Sequence, residues 1–437
     1  MLLAASSKGR IRMTLLRRDI NTLSDSELGD YIHAIEVLRQ RSSANPDDET
    51  GYAFQASLHN LGPPGPCEHA SDRFFAWHRA HLHYFEKLLQ EADPPRTSNV
   101  TIPYWDWIHR EHDGKFPAAF DRQGLSEPDR DLNPQPLPPD TVEIVTTETQ
   151  WKMFGGYPKN DPDGDYGRLE VGPHNDMHAF YIGGKMADPE TAAEDPIYFS
   201  FHCFIDLLWA EWQRRNGMPR PTSPDVTLRG FQAQPKHKVS DFQDTEQLNY
   251  VYELTDQLNA AFGIADAPPA PPPEPPKLVA TQPLSPAFER AAGDELLDRD
   301  QLQFQLADPP EPGPTVLVRV NQLKVPQKGS YMLSAFAHPQ GVPFDDSDPS
   351  FNERFDVGYA VMWRSHTMGD GGGDADDGGH HPSAATVRFD VSHVLHADVP
   401  PRAHLLTLRY IPAPDAEGDP EVVKEVAFEN AVMEVYE

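Results

Sequence analysis

Phe74-Phe75-Ala76-Trp77-His78-Arg79 opens a helical run that continues to about Leu89, and Phe199-Ser200-Phe201-His202-Cys203-Phe204 lies inside a second run from about Ile197 to Arg215. In both runs a histidine sits among aromatic residues, so each helix buries at least one face and carries an imidazole inward. Upstream, Ser24 and Glu27 form a capping box, and Leu28, Tyr31, Ile32, Ile35 and Leu38 follow at the spacing of one helical face. The stretches between, such as Pro134 to Pro139 and Asn160 to Gly167, are dense in Pro, Gly, Asp and Asn and must be loops. These features predict a mainly α unit with long irregular connections.

Composition narrows what such a unit can do. The chain has 437 residues with 37 Lys+Arg against 68 Asp+Glu, a formal net charge of −31. That excludes a nucleic-acid partner bound through a basic face. The excess acid reads as a solvated surface, with adaptation to high salt as the other reading. Two cysteines, Cys67 and Cys203, exclude a disulfide framework and a zinc ribbon. No apolar run approaches the ~20 residues that span a bilayer, so no membrane partner is expected. Met1 to Arg18 reaches Lys8, Arg10 and Arg12 before a signal-peptide core can form. The expectation is a cytoplasmic protein, or one secreted after processing.

Near Ala267 the composition changes, because Pro268, Pro269, Pro271, Pro272, Pro273, Pro275 and Pro276 can only form extended chain. Beyond it, Thr315 to Val320, Ser330 to Ala335, Val357 to Trp363, Thr386 to Val391, His404 to Tyr410 and Val422 to Phe428 collect β-formers between turn signals. The chain therefore divides into a unit over residues 1–262, a Pro-rich linker over 263–290 and an antiparallel β-sandwich over 291–437. The Asp/Gly-rich segment Gly369 to Gly379, followed by His380 and His381, reads as a solvated loop, with metal binding by the histidine pair as the other reading.

Six histidines fall into two groups of three. His174 and His178 are four apart, a spacing that stacks both rings on one helical face, and His202 follows in the aromatic helix. His59, His69 and His78 form the upstream group. Any one of them alone would read as a satisfied core residue. Two imidazole-only triads, each ending in an aromatic helix, suit copper, zinc or iron, and the scarcity of cysteine and carboxylate at matching positions argues against zinc ribbons and di-iron bundles.

The run Cys67 through Phe74-Phe75-Ala76-Trp77-His78-Arg79, then Ile102-Pro103-Tyr104-Trp105-Asp106-Trp107, resembles the CuA region of type 3 copper proteins, the tyrosinases, catechol oxidases, other polyphenol oxidases and haemocyanins. Pro173, His174, Asn175 and His178, then Gly183, Gly184, Met186, Asp195, Pro196, His202, Asp206, Leu208 and Trp209, are similar to their CuB region. The resemblance covers roughly residues 14 to 255, with Asp244, Leu248, Tyr250 and Tyr252 like the segment that closes the family's catalytic domain. It implies a four-helix bundle with a dicopper site: His59, His69 and His78 on CuA, His174, His178 and His202 on CuB, and dioxygen as co-substrate held between two copper ions. Three neutral imidazoles per copper leave each metal an open position for a bridging ligand. Arg79 and Asp206 match positions that pair across the two halves and fix ligand rings.

The spacing of Cys67 and His69 matches the members in which that cysteine forms a thioether to the middle CuA histidine; a free buried thiol or a disulfide to Cys203 are the other readings. Two departures stand out. Phe201 occupies the place of a second histidine before the last CuB ligand, and His59 lies nearer to His69 than in several bacterial tyrosinases. His81 and His83 are read as packing or surface residues.

The resemblance implies an oxidase of o-diphenols that also hydroxylates monophenols and yields o-quinones. A haemocyanin-like oxygen carrier and an o-aminophenol oxidase are the alternatives, and the absence of an internal repeat favours an enzyme over a carrier. Its partners would be small phenols and a copper-delivery protein. Hydroxylation requires a base for the phenolic proton, and Glu170 with Asn175 could hold a water for that purpose. The other reading makes Glu170 a surface residue or a partner of Arg168.

Overall fold

In the computed structural model the described residues are 3–5, 11–59, 66–109, 116–128, 130, 140–217, 224–264, 277–286, 301–306, 313–324, 329–363, 384–397, 403–413 and 428–437. They form two units. One holds the described residues up to 158 and from 167 to 264, and the other holds 159–166 and those from 277 onward. Among the described residues no helix is long and apolar enough to cross a membrane.

The first unit is helical. Helix α1 (Asp25–Ala44) starts at the expected capping box, with Glu27 N donating to Ser24 Oγ and Ser24 N to Glu27 Oε2, and it buries Leu28, Tyr31, Ala34, Ile35 and Leu38. A cap of this kind contributes about 1 kcal/mol. Helix α2 (Tyr52–Ser57) is short and leads into His59. Helices α3 (Phe74–Gln90) and α4 (Ile197–Asn216) match the two aromatic runs to within a residue, and each is buried along most of its length. They pack through Phe85 on Phe199, ring centroids 3.6 Å apart and nearly parallel, and through Phe75 against Trp209 at 5.3 Å. Gly217, at φ +70°, ends α4 in the left-handed conformation that glycine adopts without strain.

A wide-wound stretch lies between α3 and α4, over Glu170–His174 and Met177–Ile182. Pro173 has no N–H to donate, and Gly172 leaves helical φ/ψ, so the ordinary ladder cannot close there. Two strands at the N-terminus, β1 (Leu3–Ala5) and β2 (Ile11–Met13), pair antiparallel. The next, β3 (Leu15–Arg17), pairs parallel with β4 (Tyr250–Tyr252), which brings both ends of the unit together.

The second unit is an antiparallel sheet of β5 (Leu278–Pro286), β6 (Gln301–Gln305), β7 (Thr315–Lys324), β8 (Tyr331–Pro339), β9 (Asp356–Met362), β10 (Ala384–Asp390), β11 (His404–Pro412) and β12 (Asn430–Tyr436), in the order β10-β7-β12-β5-β6-β11-β8-β9. Two four-stranded halves are joined where Ser285 faces Gln305 and Pro286 faces Phe304, so the expected sandwich is one continuous ladder. Val316, Val318, Val320, Leu333, Ala335, Leu406 and Leu408 fill its buried face.

Three expectations need correction. The linker predicted over 263–290 contains strand β5, because Leu278 to Thr281 follow the proline run with β-formers that pair with β12. Asn160 to Gly167 is irregular as expected, but the boundary at 262 misses that 159–166 belongs to the second unit: Thr386 N donates to Asp165 Oδ2 at 3.1 Å, and Arg319 pairs with Asp163 at 3.7 Å. Strands β5, β6 and β12 were not foreseen. Most of the span expected over Val422 to Phe428, the proline run and the Gly369 to His381 segment lie outside the described residues.

Candidate metal centre

His59 follows α2, His69 lies in the approach to α3, His78 is in the second turn of α3, His174 and His178 lie in the wide-wound stretch, and His202 is in α4. All six rings are buried, the most exposed being His69 at 6%. The first triad has ring centroids 5.1 to 5.7 Å apart and the second 4.7 to 5.5 Å. The two triads meet. His78 stacks on His202 at 4.3 Å with 3° between planes, and His69 approaches His174 at 5.6 Å.

Backbone carbonyls and one amide set the tautomers. Nδ1 of His59 donates to Pro189 O, that of His78 to Phe74 O, that of His178 to Met186 O, and that of His174 to Asn175 Oδ1, all at 2.8 to 2.9 Å. A ring that donates through Nδ1 and is neutral presents a lone pair at Nε2, the form a metal takes up. Neutrality follows from the surroundings: burial, then repulsion from neighbouring imidazoles, holds His59, His78, His174, His178 and His202 well below the ordinary range, and burial lowers His69 to about 3. Donor atoms of His59, Cys67, His69 and His78 lie within 4.8 Å of one another, as do those of His174, His178 and His202. Imidazole sets of this kind, desolvated and held in one tautomer, fit copper.

The chain matches the family described as the common central domain of tyrosinase over residues 32–142 and 125–215. Residues 32–215 carry the tyrosinase common central domain, the domain of type 3 copper proteins. The chain's relatives include tyrosinases, a polyphenol oxidase and haemocyanins. The chain is 27% identical over 292 residues to tyrosinase HcTyr1 of Hahella sp. (strain CCB-MM4), covering 54% of this chain and 62% of that protein. It is 27% identical over 253 residues to a tyrosinase of Streptomyces glaucescens, covering 48% and 88%. The fold is like that of a latent aurone synthase (polyphenol oxidase), with TM-score 0.66 at 14% identity over 97% of this chain and 90% of that one.

The type 3 frame places the remaining expected residues. Arg79 Nε meets Asp206 Oδ1 at 2.5 Å, both buried, and the Arg79 guanidinium lies 3.6 Å over Trp209. Asp206 also accepts from Tyr250 and Tyr252 hydroxyls at 2.6 and 2.5 Å and pairs with Arg17 at 3.3 Å; Arg17 in turn meets Glu86 at 2.9 Å. Burial pushes the Asp206 carboxyl up, but Arg79, Arg17 and the two hydroxyls outweigh it and hold the pKa below the usual value. Arg17 and Glu86 were missed by sequence reasoning, since a lone arginine after Leu15-Leu16 carries no pattern.

Glu170 is buried, not a surface residue, and Arg168 pairs instead with Glu143 and Glu148 at 3.5 and 3.8 Å. Its Oε1 accepts from Ala70 N at 2.8 Å and lies 3.4 Å from His69 Nδ1. Burial raises its pKa well above the usual carboxylate range. Both cysteines are free, which removes the disulfide reading: Cys67 Sγ lies 3.7 Å from His78 Nε2, whereas Cys203 donates to Ile102 O at 3.3 Å. His81, bonded to Gln55 O and Tyr198 OH, and His83 are buried packing residues. Phe201 lies edge-on to His178 at 4.8 Å, filling the place of a histidine with an apolar wall.

Proposed function

We propose that this chain is a polyphenol oxidase that converts o-diphenols to o-quinones with dioxygen and also hydroxylates monophenols. His59, His69 and His78 would hold one copper (CuA) and His174, His178 and His202 the other (CuB), in a bundle made by α2, α3, the wide-wound stretch and α4. The observation that carries this reading is the face-to-face meeting of two buried, neutral histidine triads, with His78 stacked on His202 at 4.3 Å. Bound copper would supply dioxygen binding and accept the electrons of the phenol.

The protein's own groups do the rest. At His59, His78 and His178 carbonyl acceptors hold the Nδ1–H tautomer, which leaves Nε2 as the atom that would hold a metal. The Arg79–Asp206 pair ties α3 to α4 and fixes the spacing between the triads. Glu170, made a stronger base by burial, together with Asn175 would hold a water that takes the phenolic proton. Cys67 would link by a thioether to His69 and lock that ring, the S–H and one ring C–H being lost as dioxygen, the co-substrate, takes up the two electrons and two protons.

The test is copper loading followed by catechol addition under an oxygen electrode. Two coppers per chain with catechol-dependent oxygen uptake and quinone formation are expected. Two coppers with reversible oxygen binding and no uptake would make the chain a carrier, and faster turnover of o-aminophenols than catechols would make it an aminophenol oxidase.

A further inference from the structure

One connection supplies acceptors to both triads. Gly183, at φ +66°, turns the chain out of the stretch that carries His178, and α4 begins at Ile197. Within that connection Met186 O accepts from His178 Nδ1 and, three residues on, Pro189 O accepts from His59 Nδ1, both at 2.9 Å. The two imidazoles belong to different metal sites by the assignment above. Their acceptors are backbone atoms, so their separation is set by the shape of the connection and not by side-chain rotamers.

That shape has identifiable supports. Thr191 Oγ1 donates to Lys185 O at 2.9 Å, closing the turn on which both carbonyls sit. Thr191 N and Ala192 N both donate to Asp188 O, at 3.1 and 2.9 Å. Tyr52 OH, on the helix that leads to His59, donates to Ala193 O at 3.1 Å. At the far end Arg130 grips both oxygens of Asp195, and Asp195 Oδ1 accepts from Ile197 N at 2.9 Å, fixing the start of α4.

We propose that residues 183–196 act as a shared clamp that orients one imidazole of each copper site at once, with Thr191 as its positioning residue. The clamp makes the two sites load as a pair: disturbing the turn tilts His178 and His59 together. A residue that holds one ligand only would weaken one site only. This rests on the ligand assignment proposed above.

The experiment compares Thr191→Val, which keeps the branched shape and removes the hydroxyl, with Thr191→Ser, which keeps the hydroxyl. Copper per chain is measured against buffered free Cu(I), and the oxidised protein is examined by electron paramagnetic resonance. Thr191→Val should weaken both sites in parallel by about 10-fold, within the range for groups that orient metal ligands, and show no mononuclear Cu(II) signal from a half-filled centre. Thr191→Ser should bind as wild type. Tyr52→Phe, which removes only the Ala193 contact, should give a smaller parallel loss and stands in should Thr191→Val fail to fold. Unchanged affinity in Thr191→Val and Tyr52→Phe, or loss at one site with a mononuclear signal, overturns the clamp. Wild type failing to bind two coppers would overturn the ligand assignment itself, a separate outcome.

Discussion

Replacing Asp206 by Asn removes the carboxylate that the buried guanidiniums of Arg79 and Arg17 share. Arg79 Nε lies 2.5 Å and Arg17 Nη1 3.3 Å from its oxygens, and none of the three side chains is more than 2% exposed. Arg17 keeps Glu86 at 2.9 Å, but Arg79 keeps only neutral acceptors, Phe242 O at 3.1 Å and Gln213 Oε1 at 3.4 Å. Leaving a buried charge without its partner costs about 3–5 kcal/mol. At about 2–4 °C per kcal/mol for a unit of this size, 3 kcal/mol corresponds to a Tm lower by about 6–12 °C. Tyr252→Phe, which removes one hydroxyl from the same oxygen, should cost about 1 kcal/mol. The pH dependence gives a second reading. Asp206 has a folded pKa below its usual value, so its contribution is present above the unfolded pKa of about 3.9 and lost as pH falls through the lower folded value. Thermal unfolding of copper-free wild type and Asp206→Asn at pH 7 and at pH values stepped below about 3.9 checks both. A drop below about 2 °C at pH 7, or a gap between the two proteins that does not narrow in acid, would refute the reasoning and reduce the cluster to the worth of a surface pair.

His78→Ala and His178→Ala should each lose copper and catechol oxidation in metal analysis and oxygen uptake, and full retention of both metals in either would break the ligand assignment. A Cys67–His69 thioether leaves the reduced chain two hydrogens lighter than its sequence mass with only Cys203 open to alkylation; two alkylated thiols would rule it out. Asn175→Ala and Glu170→Gln should depress monophenol turnover far more than diphenol turnover when tyramine-like and catechol substrates are compared, and equal losses on both would assign them a general supporting role.

Side-chain chemistry made much of the site legible. Spacing and the resemblance of the surrounding residues set the six histidines apart from the chain's nineteen, and the aromatic runs around His78 and His202 announce the helices that bury them. Glu170 was visible as a candidate but its surroundings were not, since only the folded turn at Pro173 shows it facing His69 and Ala70 while Arg168 points to other acids. The second unit was legible as antiparallel β-structure from alternation in Thr315 to Val320 and His404 to Tyr410. Its strand β5 was hidden because Leu278 and Val279 remain exposed and carry no burial pattern to read.

What orients the histidines is almost invisible in sequence, and the reason is physical. Backbone carbonyls of Phe74, Met186 and Pro189 accept from Nδ1 of His78, His178 and His59, and any residue type offers the same oxygen. For Phe74 the acceptor follows automatically from helix geometry, four residues before His78, so it could have been inferred once the helix was assigned. Met186 and Pro189 are different, because their carbonyls are aimed by a turn whose determinants lie elsewhere: Gly183 at positive φ, the Thr191 hydroxyl and the Arg130–Asp195 pair. Ligand identity is thus carried by side chains and ligand orientation by chain path. Substitutions that keep the path, such as exchange of the Met186 side chain for another of similar volume, leave the carbonyl in place. Those that alter the path act on both triads from positions that touch neither metal.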